Sequence, residues 1–327
     1  MKYFVTGATG FVGGRVVRQL IEAGHQVVVI VRNPAKAADL ASLGIEVHQG
    51  DVTDKESMRA PMHGVNGVFH IAGWYKIGVK DKSDGAKINI QGTRNVLELM
   101  QELGIAKGVY TSTVAVFSDT HGRMVDETYV YKGPHLSEYD RTKWVAHYEV
   151  AGPMIQAGLP LVIVQPGVIY GPGDTSSLNE ALMQYLQRKL LLMPGRFAMC
   201  WAYVDDIARG HILAMEKGIP GQSYIIAGTE HTFVDAMKIA QQATGVPAPR
   251  IIAPPAMMKA TAAIMSVVEK IVPVPEMYTS EYLRVNAGTT YIATNAKAVR
   301  ELGYNPRPLE EGLPETLRYD MQLLGMK

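Results

Sequence analysis

Met1-Lys2-Tyr3-Phe4-Val5-Thr6-Gly7-Ala8-Thr9-Gly10-Phe11-Val12-Gly13-Gly14 reads as a strand running straight into a glycine-rich turn and a helix. Tyr3-Phe4-Val5 supplies the strand, and Val16, Val17, Leu20 and Ile21 give the helix a buried stripe at helical spacing. The exposed N–H groups where such a helix begins can hold a phosphate. Gly7 then serves the tight turn, Gly10 the approach of the backbone to a pyrophosphate, and Gly13 the close packing of helix on strand. Thr9, Phe11 and Val12 stand between these glycines in the same candidate contact set. A glycine triplet alone is a weak signal. Flanked on both sides in this way, it points to a dinucleotide.

Outward from this turn, apolar runs at 26–31, 45–48, 67–72, 107–112 and 161–165 alternate with helical patterns at 34–43, 55–62, 84–103 and 138–157. Such alternation predicts an α/β fold with a parallel, doubly wound sheet, whose ligands bind beyond the carboxyl ends of the strands. From Gly171 the pattern changes to helical stretches (178–189, 205–217, 233–244) mixed with proline-rich loops. The expected organisation is a dinucleotide-binding domain over 1–170, with 201–230 returning to it. A smaller substrate domain then comprises 171–200 and 231–327. The longest apolar stretch, Pro254 to Val274, is interrupted by charges and too short to span a bilayer. A buried helix of the second domain is expected there, and a Met-rich wall beside an apolar ligand is compatible with it.

Bulk properties narrow the class. The 327 residues are 47% hydrophobic and 19% charged, so a sizeable core is expected and disorder is not. The net charge of +1 gives no global field favouring nucleic acid or a membrane surface. A single cysteine, Cys200, excludes disulfide scaffolds and fits a reducing compartment. With a strand expected from Lys2, no leader is expected before it, and a cytoplasmic location follows. The nine histidines are scattered, and no metal site is expected.

Each strand end carries candidate chemistry. Arg32 ends the second strand, 19 residues beyond Gly13. An acid there would suit the ribose hydroxyls of NAD, whereas an arginine suits the 2′-phosphate of NADP, and Lys36 adds a second positive charge. Asp51 and Val52 end the third strand and are candidate adenine contacts; capping the next helix is the competing role for Asp51, which Thr53 or Asp54 would fill better. Ile71, Ala72 and Gly73 put small residues where the cofactor backbone would pass. The fifth strand ends in Thr111-Ser112-Thr113, and 26 residues beyond Thr113 comes Tyr139 with Lys143 on the same helix face. A nearby ammonium favours the phenolate and brings a tyrosine toward the working range. Tyr185 and Lys189 share that spacing without a hydroxyl-bearing strand end upstream, and read as a structural helix face. Trp74-Tyr75-Lys76 either lines a substrate mouth or packs on the second domain.

Together these residues resemble the extended short-chain dehydrogenases/reductases. The resemblance runs through Thr6-Gly7, Asp51-Val52, Asn89 to Val96, Tyr139 with Lys143, Gln165 to Gly173, Tyr203 to Asp206, and Leu302 to Pro306. It implies a Rossmann-type fold, with Tyr139 as proton donor or acceptor and Lys143 on the nicotinamide ribose. It also implies Thr113 on the substrate oxygen, Asn89 supporting the lysine, Pro166-Gly167-Val168 beside the carboxamide, and a homodimer through the 84–103 and 138–157 helices. Two positions depart from the pattern: Thr113 replaces a serine, and Ser118 stands where a glycine would be.

Within this family, Arg32 and the apolar Met199-Cys200-Trp201, where epimerases carry a phosphate-binding arginine, point to the dihydroflavonol-reductase-like and β-hydroxysteroid-dehydrogenase-like branch. The expected activity is NADPH-dependent reduction of a small or hydrophobic ketone or aldehyde. The alternatives are a nucleotide-sugar epimerase or dehydratase with bound NAD(P), a non-catalytic NADP sensor, and a hydrophobic-ligand carrier.

Overall fold

The computed structural model describes residues 1–326. Six strands alternate with helices through the first half: β1 (Lys2–Thr6), β2 (Gln26–Val31), β3 (Glu46–Gln49), β4 (Gly67–His70), β5 (Gly108–Thr111) and β6 (Leu161–Pro166). Next, β7 (Val168–Tyr170), β8 (Leu192–Pro194) and β9 (Ala198–Tyr203) leave this sheet, and β10 (Ser223–Ile226) rejoins it. The last three, β11 (Glu230–Thr232), β12 (Ile251–Ala253) and β13 (Thr290–Tyr291), lie outside it. The main sheet has the order β10-β6-β5-β4-β1-β2-β3, every pair parallel. The chain starts at β1, winds to the β3 edge, then crosses back to β4, so the strand order reverses between β1 and β4. This is a Rossmann-type doubly wound sheet, and the crevice at that reversal is where its ligands lie.

Residue types explain the placement. Inner strands such as Val27-Val28-Val29-Ile30-Val31 are buried on both faces, as parallel strands covered by helices must be. At the edge, β3 (Glu46-Val47-His48-Gln49) is largely exposed and accordingly polar. Helices Phe11–Glu22, Val204–Lys217 and Ala296–Leu302 cover one face, and Lys55–Met62 with the helices 83–102 and 138–156 covers the other. The last two contain π-helical turns at Ala86–Gly92 and Ala146–Ala151.

A second core lies beyond the carboxyl ends. There β9 pairs with β7, β11 and β13, and helices Ser177–Leu186, Phe233–Thr244 and Leu309–Leu323 pack on them. Three expectations are corrected. Trp201-Ala202-Tyr203 does not return to the main sheet but lies in β9, because the chain turns at Gly167 into β7, which pairs with it. A Cβ on Gly167 would come within 2.2 Å of the Cys200 carbonyl oxygen, so the two backbones cross with no room for a side chain. Lys189 lies beyond the end of helix Ser177–Leu186, and buried Tyr185 donates its hydroxyl to the Val246 carbonyl at 2.6 Å. Finally, the helix Pro255–Val268 buries only Met258 and Ala262. Its apolar residues stand on the exposed side as well as the buried one, so hydropathy alone does not tell which side is covered.

Ser118 adopts φ 51°, ψ −149°, a backbone region essentially reserved for glycine, and its buried Oγ has no hydrogen-bond partner among the described residues. Both strain and desolvation oppose the extra flexibility a glycine brings to the unfolded chain. Ser118→Gly is therefore expected to stabilise the fold by about 1–2 kcal/mol. A rise in Tm would show this, and a fall would mean that the serine makes a compensating bond.

Candidate active site

The glycine turn meets the requirements of a phosphate cradle. Gly7 has φ 75°, and a Cβ there would lie 2.7 Å from the Ala72 nitrogen. Gly13 approaches the Gly7 carbonyl so closely that a Cβ would sit 2.1 Å from its oxygen. Gly10 is the N-cap of helix Phe11–Glu22; no side chain caps the helix and no acid occupies its first turn. Thr9 and Gly10 are exposed, and Phe11 and Val12 are half-buried. The positive end of the helix therefore faces outward with its N–H groups available to a diphosphate. The residues present fit a dinucleotide.

At the next strand ends, Arg32 and Lys36 are both exposed, and neither is in an ion pair among the described residues. One Asp51 oxygen accepts the Thr53 N–H and hydroxyl, both at 2.8 Å, and Asp54 rather than Asp51 caps helix Lys55–Met62. The Val52 side chain belongs to the core, and its carbonyl accepts from Asn95. Only its N–H remains for a ligand. The N–H groups of Ile71 and Ala72 both donate to Thr6 Oγ1 at 3.1 Å. With those two bonds accepted, the Thr6 proton goes to His70 Nδ1 at 2.9 Å, so the His70 ring proton is on Nε2, facing Thr93 Oγ1 at 3.0 Å. Burial holds His70 neutral, its pKa down to about 3.

The end of β5 and the helix 138–156 bring the proposed chemistry together. Ser137 caps that helix, accepting the Asp140 N–H at 3.1 Å and donating to the Asp140 carboxylate at 2.9 Å. Tyr139 and Lys143 consequently share one face. Burial pushes the Tyr139 phenol above its ordinary value, and the nearby Thr113 hydroxyl pulls it back. Thr113 Oγ1 also accepts the Ala115 N–H at 3.1 Å. Lys143 is buried, which lowers its pKa to about 7; its Nζ donates to the Thr111 carbonyl at 2.7 Å and the Tyr110 hydroxyl at 3.3 Å.

Three candidates have other partners. The Asn89 side chain bonds the Trp74 backbone and the hydroxyl of Thr142, next to Lys143 in the chain, with no direct bond to the lysine among the described residues. The Thr111 hydroxyl pairs with His211 Nε2 at 2.8 Å across the sheet, leaving its carbonyl to the lysine. Ser112 points away from Thr113, as alternation along a strand requires, and meets His147 Nδ1 at 2.8 Å. At the end of β6, Pro166 is buried and Val168 half-buried, with Gly167 between them. The expected apolar set Met199-Cys200-Trp201 is buried within β9, with the Cys200 thiol donating to the Ala293 carbonyl at 3.3 Å.

Several contacts around the site are not legible in the sequence, even where, as for Tyr75 and Gln165, the residue itself stands in a segment already singled out. Tyr75 stacks edge-on against Tyr139, with ring centroids 4.8 Å apart. Buried Glu281 accepts the Gly78 N–H at 3.0 Å and the Glu138 N–H at 2.8 Å, and pairs with Lys82. Tyr291 donates to the second Asp140 oxygen at 3.1 Å. Gln165 is buried with neither amide atom partnered among the described residues. No local motif marks the roles of Glu281 and Tyr291, since their partners lie far away in sequence. Also among the described residues, no His, Cys, Asp and Glu side chains gather as a metal site, and no helix is long and apolar enough to cross a membrane.

Residues 3–227 match the NAD dependent epimerase/dehydratase family. A putative dihydroflavonol 4-reductase of Synechocystis sp. is 34% identical over 76% of this chain and 74% of its own length. A sterol demethylase protein B of Methylococcus capsulatus is 30% identical over 83% of each, and a 2-alkyl-3-oxoalkanoate reductase of Stenotrophomonas maltophilia is 30% identical over 96% and 97%. The crystal structure of gox2253 is similar at a TM-score of 0.86, with 29% identity and 99% of both chains covered. With two thirds of its length matched, a glycine cradle of the required form and relatives at this identity, the chain belongs to the NAD dependent epimerase/dehydratase family of extended short-chain dehydrogenases/reductases, whose members bind a nicotinamide dinucleotide.

Proposed function

We propose that the chain is an NADPH-dependent reductase of a ketone or aldehyde on a small or hydrophobic molecule. The observation that carries this reading is that Tyr139 and buried Lys143, four apart on one helix, stand at the carboxyl end of β5, where Lys143 holds the Thr111 carbonyl at 2.7 Å and Thr113 follows two residues on. When bound, the dinucleotide supplies a hydride to the carbonyl carbon. Thr113 holds the carbonyl oxygen by its hydroxyl, and Tyr139 gives that oxygen its proton. Lys143 turns from Thr111 to the ribose and, protonated there, eases loss of the phenolic proton. Gly7, Gly10 and Gly13 admit the diphosphate, and Gly167 leaves room beside the nicotinamide. Residues 171–200 and 231–327 form the substrate side. Relatives named as reductases, including a cinnamoyl-CoA reductase of rice, support the reaction class.

Arg32 and Lys36, exposed with no acidic partner at the end of β2, support NADP over NAD. Arg32→Ala is expected to raise KM for NADPH on the order of 10- to 100-fold, the worth of a charge-assisted hydrogen-bonded pair, and to leave NADH nearly unchanged. Oxidation of NADPH and NADH should be followed over a panel of ketones, aldehydes and nucleotide sugars. Net NADPH consumption with a carbonyl compound supports the reductase. Turnover of a nucleotide sugar without net cofactor change would replace it by the epimerase reading.

A further inference from the structure

The helix Pro255–Val268 carries much of its apolar surface outward. Met257, Ala260, Ile264 and Val267 recur every three or four residues along one side, and Ile271 and Val272 continue beyond the helix end. Ile264, Val267 and Ile271 are 64%, 59% and 78% exposed. The short ribbon β8–β12 precedes this helix and exposes Leu192 and Ile251, paired in register, with Leu191 and Ile252 beside them. Apolar exposure gathered this way marks a surface that meets something other than water.

Charge identifies the partner. Segments 186–197 and 246–272 contain Arg188, Lys189, Arg196, Arg250, Lys259 and Lys270. All six are exposed, and none is in an ion pair among the described residues. The one acid in these segments, Glu269, is taken up by the Ser280 N–H and hydroxyl, both at 2.8 Å. These segments therefore carry a net +5 where the whole chain carries +1. A second copy of the chain, meeting this face symmetrically, would oppose the same six cations to themselves. An anionic lipid surface satisfies both halves of the pattern: the acyl boundary takes the stripe, and the headgroups take the Lys and Arg side chains.

We propose that this face docks reversibly on an anionic lipid surface. The helix packs on Ser280–Asn286, whose Glu281 holds the N–H groups of Gly78 and Glu138, so the docked side stands one layer from Tyr139. A lipophilic carbonyl compound would then enter from the lipid; this last step rests on the reductase reading, whereas docking does not.

The test is sedimentation of the full chain with phosphatidylcholine vesicles and with equimolar phosphatidylcholine–phosphatidylglycerol vesicles. Binding is expected to the second only, and to weaken as salt is added. Because each Lys or Arg at such a surface contributes about fivefold in partitioning, Lys259→Ala with Lys270→Ala should lower binding on the order of twentyfold. Ile264→Glu with Val267→Glu should abolish it. NADPH affinity and Tm should stay at wild-type values in both variants. No sedimentation of the wild type, or sedimentation unchanged by both pairs of substitutions, would overturn the proposal. So would a wild-type dimer that Ile264→Glu dissolves, since the face would then belong to a second copy.

Discussion

Tyr139→Phe is expected to lower NADPH-dependent carbonyl reduction by roughly 10²- to 10⁴-fold, the range for removing a positioned general acid, and to leave NADPH affinity nearly intact. The substitution keeps the ring, and with it the edge-on contact with Tyr75 at 4.8 Å, so helix packing is preserved. What disappears is the hydroxyl near Thr113. Initial rates on whichever panel compound the wild type reduces, with NADPH binding followed by fluorescence, separate chemistry from binding. Undiminished turnover would remove Tyr139 from the mechanism. Equal losses in turnover and in NADPH affinity would instead assign it a role in holding the cofactor.

Gly13→Ala is expected to destabilise the fold by up to roughly 2 kcal/mol and to remove NADPH binding at the temperatures where the variant stays folded. Alanine within a helix ordinarily gains about 1 kcal/mol over glycine. Here the added Cβ would lie 2.1 Å from the Gly7 oxygen, a backbone atom that cannot rotate away. Relief requires lifting the helix from β1, with an overpacking penalty of about 1–3 kcal/mol, and opening the cradle itself. Gly14→Ala is the control: its Cβ would stand 3.3 Å from the Ala8 oxygen, a contact a small shift relieves. Thermal unfolding and NADPH titration of both variants check the comparison. Equal behaviour would mean that the cradle is soft.

Rossmann strands are legible because both their faces are buried, which leaves uninterrupted Val and Ile runs, and because helices between them repeat at a different period. The glycine turn is legible because backbone approach admits only one residue type. Tyr139 and Lys143 stand four residues apart, and helical geometry alone puts them on one face. Other features depend on what lies opposite, which a linear pattern does not record. The partners of Asn89 are an example: its amide meets the Trp74 backbone and the hydroxyl of Thr142, the residue before Lys143, a set that no spacing in the sequence announces. The π-helical turns at Ala86–Gly92 and Ala146–Ala151 have no composition of their own. Apolarity between 254 and 274 does not mean burial, because hydropathy reports what a side chain prefers and not whether anything covers it.

The ties between the end of the chain and the start of the Tyr139 helix have a consequence for biosynthesis. Glu138 waits for Glu281 across 143 residues, and Asp140 for Tyr291 across 151. Thr120 and Val125 likewise pair with Thr290 and Ala293. Loop closure over such spans adds little to its free-energy cost, because that cost rises only with the logarithm of length, but it fixes the timing. A nascent chain that has emerged as far as β10 holds all seven strands of the main sheet and the dinucleotide cradle, yet none of these four ties. The ribosome must deliver the chain through residue 293 before all four ties can form, so the segment that holds Tyr139 is fastened well after the cradle is complete.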